Sequence, residues 1–253
     1  MLYHVSRRTD VPACYWEWFL RRLDAGYALV RNPRYAKSVS RYDLTPDVCD
    51  GFAFLSKDYG PAIQGVRGLM TLEEIIETYR ITNFSCTVTP YISLERGLRP
   101  LEERVRAIEA VSALAGRERM RWLFAPILVT DDMDITWQLR FLEEYVPRLA
   151  AACATCYPDD LHVYDHVSAR LKANRTTMRN VEGQERDDLF GRLAELSREH
   201  GLDLVCYPST LSNWEAYGVR GAPCASRETL GRTNDVRIVR GARETCGSVT
   251  VDV

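Results

Sequence analysis

No apolar run in this 253-residue chain approaches the roughly 20 residues that cross a bilayer. The opening MLYHVSRRTD has charges where a secretory signal carries its apolar core, so the expectation is a cytoplasmic protein with no membrane partner. A large charge of either sign is missing too. Lys and Arg number 33 against 35 Asp and Glu, a net charge of −2. The summed field therefore argues against nucleic acid as a partner, while a local basic patch stays compatible with it. Low-complexity tracts, internal repeats and linker-like shifts in composition are also lacking, which leaves no signal for a fibrous, disordered or multidomain chain.

What is present fits one globular core. Hydrophobic residues make up 46% and charged residues 27%, near the globular averages, and the length suits a single large α/β domain over residues 1–253. Eight cysteines in an intracellular chain of this size read as buried apolar residues or metal ligands, since disulfide frameworks belong to small secreted domains.

Apolar runs at 2–5, 51–56, 81–89, 121–129, 161–167 and 202–207 predict strands. Three-to-four-residue apolar spacing predicts helices at 12–26, 71–79, 101–114, 135–152 and 189–200, with a Thr71/Glu74 capping box opening the second. Residues 28–31 and 38–42 flank the Asn32-Pro33 breaker and predict a small hairpin decorating the main sheet. Strand and helix alternate, so the fold class is α/β with about six parallel strands. A partial (β/α) TIM-like barrel is expected, with an open doubly wound sheet as the rival. Residues 226–253 form a less regular tail.

Both architectures place function at the strand C-termini. Ser6, Arg7, Arg8, Thr9 and Asp10 follow the first strand and precede a helix, a setting in which guanidinium groups and helix N–H groups hold a carboxylate or phosphate. The plainer alternative is that Asp10 caps the helix and the arginines pair with surface acids. Lys57 and Asp58 occupy the matching loop after the second long run, and Thr87, Thr89 and Tyr91 the loop after the third. On a strand at 161–167, His162, Tyr164 and His166 would share one face and Asp165 the other, adverse to a two-histidine, one-carboxylate metal site. Cys153 and Cys156 have metal-pair spacing without a second pair, and core packing is the stronger reading. Cys206, Cys224 and Cys246 fall at a strand end and in the irregular tail, where a metal clip would hold loose chain.

The segments HVSRRTDVPACYWEWFLRRLDAGYALVRNP, SVSRYDL, FLSKD and TVTPY resemble a bacterial family described only as domain of unknown function 1848. The resemblance is strongest over the first third of the chain. It implies a barrel related to radical S-adenosylmethionine enzymes, whose members finish with a cysteine cluster holding an iron–sulfur centre. No such cluster appears here, where the sequence closes on RETCGSVTVDV. The resemblance marks Ser6 to Asp10, Lys57, Thr89 to Tyr91 and Asp165, together with Cys206, Cys224 and Cys246 as ligands of a metal or auxiliary cluster. Relatives resemble W-R-Y-D-P where this chain has Trp122-Leu123-Phe124-Ala125-Pro126, a change that removes a charged pair.

The expectation is thus a barrel enzyme, or a degenerate one, holding a small anionic ligand. Ser6, Arg7, Arg8, Asp10, Thr89 and Tyr91 would bind it, with Lys57 and Asp165 as catalytic groups. S-adenosylmethionine, an iron–sulfur cluster and zinc are the cofactors considered. Two alternatives stand beside it. One is a non-catalytic subunit that pairs with a complete relative as its protein partner. The other is a Cys- or His-ligated metal enzyme without a cluster.

Overall fold

The computed structural model describes residues 1–6, 9–32, 35, 37–91, 94–95, 97–162, 177–207, 210, 212 and 214–222. Strands β1 (Leu2–His4), β4 (Gly51–Ser56), β5 (Ile81–Thr87), β6 (Met120–Ile127), β7 (Thr155–Asp160), β8 (Asp203–Cys206) and β9 (Arg220–Gly221) form one sheet. They pair in that order and every pairing is parallel. The order never reverses, so the switch point that defines a doubly wound sheet is missing from the described strands. Strands β2 (Tyr27–Arg31) and β3 (Val39–Asp43) make a separate antiparallel ribbon, as the Asn32-Pro33 breaker predicts.

The described helices are α1 (Val11–Cys14), α2 (Trp16–Asp24), α3 (Gly60–Gln64), α4 (Leu72–Thr78), α5 (Leu101–Ala115), α6 (Ile135–Ala152) and α7 (Gly183–Glu199). Their starts follow local chemistry. The Thr71 hydroxyl and Glu74 carboxylate close the predicted capping box on α4, and Asp134 caps α6 by accepting the Trp137 N–H at 3.0 Å. None of these helices is long and apolar enough to cross a membrane.

Strand alternation gives the sheet two unlike faces. Phe52, Phe54, Phe84, Cys86, Met120, Trp122, Phe124, Cys156 and Leu204 point to one side and join a single buried cluster with apolar residues of all seven helices. Within it, Phe19 of α2 meets Phe52 and Phe54 edge-on at 5.2 and 5.6 Å. The Trp122 indole N–H donates to the Val88 carbonyl at 2.9 Å, which satisfies the polar end of a fully buried ring. The opposite face is the more polar of the two. Ser85, Arg121, Thr155 and Asp203 lie in one register row across β5 to β8, and Thr87, Leu123 and Tyr157 in the next row toward the C-terminal ends.

Two sequence expectations need correction. The helix expected at 12–26 is two, α1 and α2, meeting at Tyr15, whose backbone leaves the helical region at φ −135°. The strand expected at 161–167 lies six residues upstream as β7, and Leu161 and His162 follow its end. The alternation proposed for His162, Tyr164 and His166 therefore has no strand under His162, and residues 163–176 lie outside the described residues. Pro158 disguises β7, because proline cannot donate to a ladder. It is accommodated where the β6–β7 register shifts, just beyond the Phe124–Pro158 pairing.

Candidate functional site at the strand C-termini

The loops leaving β1, β4 and β5 are joined by an ionic and hydrogen-bonded network. Asp10 accepts the Ala13 N–H at 3.1 Å as the cap of α1, the Ser56 hydroxyl at 2.7 Å and the Lys57 backbone N–H at 2.8 Å. Ser56 in turn accepts the Asp58 N–H at 2.9 Å. The Asp58 carboxylate takes the Gly60 N–H at 2.8 Å and Arg99 Nε at 2.7 Å, with a second Arg99 bond completing a bidentate pair. Glycine at position 60 leaves room for this pairing, because a Cβ there would lie 1.6 Å from the Arg99 guanidinium.

Lys57 and Arg104 share one carboxylate. The Lys57 ammonium donates to Glu95, and Arg104, only 2% exposed, places Nη1 at 3.7 Å from the other Glu95 oxygen and 3.5 Å from the Lys57 carbonyl. Burial pulls the Arg104 pKa down, opposed by the charges of Glu95 and Asp58. Burial alone would raise the Asp58 carboxyl, but the Arg99 hydrogen bond, the Gly60 N–H and the Arg99 and Arg104 charges outweigh it and hold the pKa low. The six charges of Asp10, Lys57, Asp58, Glu95, Arg99 and Arg104 cancel. Lys57 is thus an ion-paired residue, and any positive surplus in these loops comes from Arg7, Arg8 and Arg96, which lie outside the described residues.

Two hydroxyls in this region, Ser6 Oγ and Thr89 Oγ1, are buried without a hydrogen-bond partner among the described residues. Tyr91 is engaged: its hydroxyl accepts the Leu128 N–H at 3.0 Å and the Gln138 side-chain N–H at 3.1 Å, tying the β5 loop to the end of β6.

Around β7 and β8 the chemistry differs. Asp160 pairs with Arg186 at 2.8 Å, and that guanidinium also lies over the Phe190 and Trp214 rings. Its neighbour Asp159 is the one carboxyl among the described residues whose pKa is pushed up, by burial first and also by the Asp160 charge, with the Asp160 backbone N–H that it accepts and then the exposed His162 opposing. The Cys206 thiol is raised by burial and by Asp159, with a Thr210 hydrogen bond acting against this. Leu123 packs against Tyr157, Val205 and Ala222 on the polar face, whereas Phe124 lies in the helix-side core. Leu123-Phe124-Ala125 is therefore not one continuous exposed apolar surface.

Of the residues singled out from sequence, Asp10, Lys57 and Asp58 come together in one network. Ser6 lies in the loop after β1 and Thr89 and Tyr91 in the loop after β5, with β4 between those strands. Arg7, Arg8, Tyr164, Asp165, His166, Cys224 and Cys246 lie outside the described residues, and no group of three metal-ligating side chains occurs among the described ones. Cys153 and Cys156 are fully buried in the core, as their apolar setting predicts. Glu95, Arg99, Arg104 and Asp159 were missed. The first three act through long-range pairings that leave no local pattern, and Asp159 was hidden by the misplaced strand.

Sequential parallel strands, helices gathered over one face and polar loops at the C-terminal ends define an α/β protein of the repeated strand–helix class. Within that class the chain belongs to the family described as Domain of unknown function (DUF1848), whose model matches residues 2–253. No curated protein and no solved structure matches it.

Proposed function

We propose that the chain is a TIM-like partial-barrel protein, an enzyme or a degenerate one related to radical S-adenosylmethionine proteins, that holds a small anionic ligand at its strand C-termini. The observation carrying this reading is the pair of buried hydroxyls, Ser6 Oγ and Thr89 Oγ1, without partners among the described residues at the ends of β1 and β5. A buried hydroxyl left unbonded costs about 1–3 kcal/mol, a cost that a ligand or an ordered water offsets. Arg7 and Arg8 supply the recognition charge, because the six charges of the adjoining network neutralise one another. Lys57 then orients the loop through Glu95, and Asp165 remains the proposed acid–base group. The sequential strand order supports the barrel reading.

Calorimetric titration of the whole protein with inorganic phosphate and with S-adenosylmethionine tests the site. Saturable binding that Arg7→Ala or Arg8→Ala weakens at least about tenfold, roughly 1.4 kcal/mol, is expected. The absence of binding to either probe, or binding unchanged in both variants, defeats the anion reading. Iron and sulfide analysis of anaerobically prepared protein tests the cluster separately: an iron-free protein removes the radical-enzyme version alone.

A further inference from the structure

The β2–β3 ribbon stands apart from the seven-stranded sheet, anchored at its base by the Leu44 N–H to the Gly26 carbonyl at 2.8 Å. Tyr42 packs edge-on against Tyr3 at 5.5 Å, which fixes the inner side of the ribbon. Register places Tyr27 opposite Asp43, Leu29 opposite Arg41 and Arg31 opposite Val39, all on the outer side. Every residue of β3 is exposed, and Leu29 and Val39 are 55% and 51% exposed.

Charge separates this element from the rest of the molecule. Residues 27–43 contain Arg31, Arg34, Lys37 and Arg41 against Asp43 alone, a surplus of three positive charges in a chain whose net charge is −2. Aromatic rings are interleaved with these cations. The Arg41 guanidinium lies 3.9 Å from the Tyr27 ring centre, and Tyr35, between the two strands, is 70% exposed. Four of the twelve exposed large hydrophobic residues among the described ones, Leu29, Tyr35, Val39 and Tyr42, belong to this element.

We propose that the outer side of the β2–β3 ribbon is a docking face for single-stranded nucleic acid. Arginine and lysine neutralise successive phosphates, and unstacked bases lie on the exposed Tyr35 ring and on Leu29 and Val39. A second copy of the chain docking ribbon to ribbon would oppose like charges. A membrane surface is disfavoured because the connection that would enter it, Asn32 to Ser38, is polar apart from Pro33, Tyr35 and Ala36. The near-neutral whole chain hides the patch, since an average over 253 residues says nothing of a 17-residue element.

Fluorescence anisotropy of the whole protein with labelled single-stranded RNA and DNA of about 20 nucleotides tests this. Three or four neutralised phosphates predict saturable binding that weakens about 20- to 50-fold between about 50 and about 200 mM potassium chloride. The double reversal Arg31→Glu/Arg41→Glu is expected to abolish binding, and Tyr35→Ala to weaken it without changing the salt slope. Thermal melts of each variant separate lost binding from lost folding. The proposal is overturned by no saturable binding at low salt, by unchanged binding in a folded double reversal, or by tighter binding to duplex or to phosphatidylserine vesicles.

Discussion

Asp10 and Lys57, 47 residues apart in sequence, are joined through the Lys57 backbone N–H, which donates to Asp10 Oδ2 at 2.8 Å. The same carboxylate caps α1 and holds Ser56, so one side chain fixes a helix start and the end of β4 together. Asp10→Ala removes all three acceptor contacts and is expected to cost about 2–4 kcal/mol. Asp10→Asn keeps one acceptor oxygen and should lose less. Urea unfolding orders the three proteins, and an alanine variant as stable as the parent would refute this role.

Asp58 and Asp159 should respond to acid in opposite senses. The Asp58 pKa is lowered in the folded protein, so its stabilisation is present above the ordinary carboxyl range near pH 4 and is lost as pH falls through the folded value. Asp58→Asn should therefore be less stable than the parent at pH 7, with the gap closing in acid. The Asp159 pKa is raised, so its charged form carries a cost that is complete above the folded value and absent below the unfolded one. Asp159→Asn should gain stability at pH 7 and lose that gain in acid. Unfolding free energies measured from about pH 7 down to about pH 2 check both signs.

Gly60→Ala offers a milder route to the Asp58 pair. The added methyl meets the flexible end of Arg99 rather than backbone, so displacement of Arg99 is expected instead of unfolding. Asp58 should then titrate higher than in the parent, which carbon-detected magnetic resonance of the carboxyl group reads directly. An unchanged Asp58 titration would contradict the crowding at this glycine.

Tyr91→Phe isolates a single buried contact. Gln138 keeps a second acceptor in the Leu128 carbonyl at 2.7 Å, whereas the Leu128 N–H loses the tyrosine oxygen. A loss of about 1–3 kcal/mol is expected, the cost of one orphaned buried donor. A change below about 0.5 kcal/mol would mean that water replaces the hydroxyl.

Thiol reactivity should follow burial. Of the described cysteines Cys14 alone is exposed. Burial pushes the Cys49 thiol up to about 11 and those of Cys86 and Cys156 well above the ordinary range. Maleimide labelling of native protein followed by mass spectrometry should modify Cys14 before any of these three. Prompt labelling of Cys86 or Cys156 would place them in a more open environment than the core.

Much of the scaffold was legible from pattern alone. The runs at 51–56, 81–89 and 121–129 match β4, β5 and β6, and the helix at 135–152 matches α6, because each carries an uninterrupted apolar period. The strand β7 was not legible, since Thr155–Asp160 offers a proline and two acids where pattern reading looks for alternation. The candidate site divides in the same way. Asp10 was visible as a cap, and Lys57 and Asp58 as polar residues at a strand end. Their partners Glu95, Arg99 and Arg104 are chosen by tertiary proximity, which spacing does not encode.

A Cβ at Gly51 would sit 1.7 Å from the Ile81 carbonyl oxygen, so the entry ends of β4 and β5 admit no side chain at that position. Any substitution there must part the two strands at their first paired residues. The entry edge of the sheet is thereby closed to redesign at this point. Variants that probe the proposed anion site belong at the other end, where loop length and side-chain identity can vary without spreading the sheet.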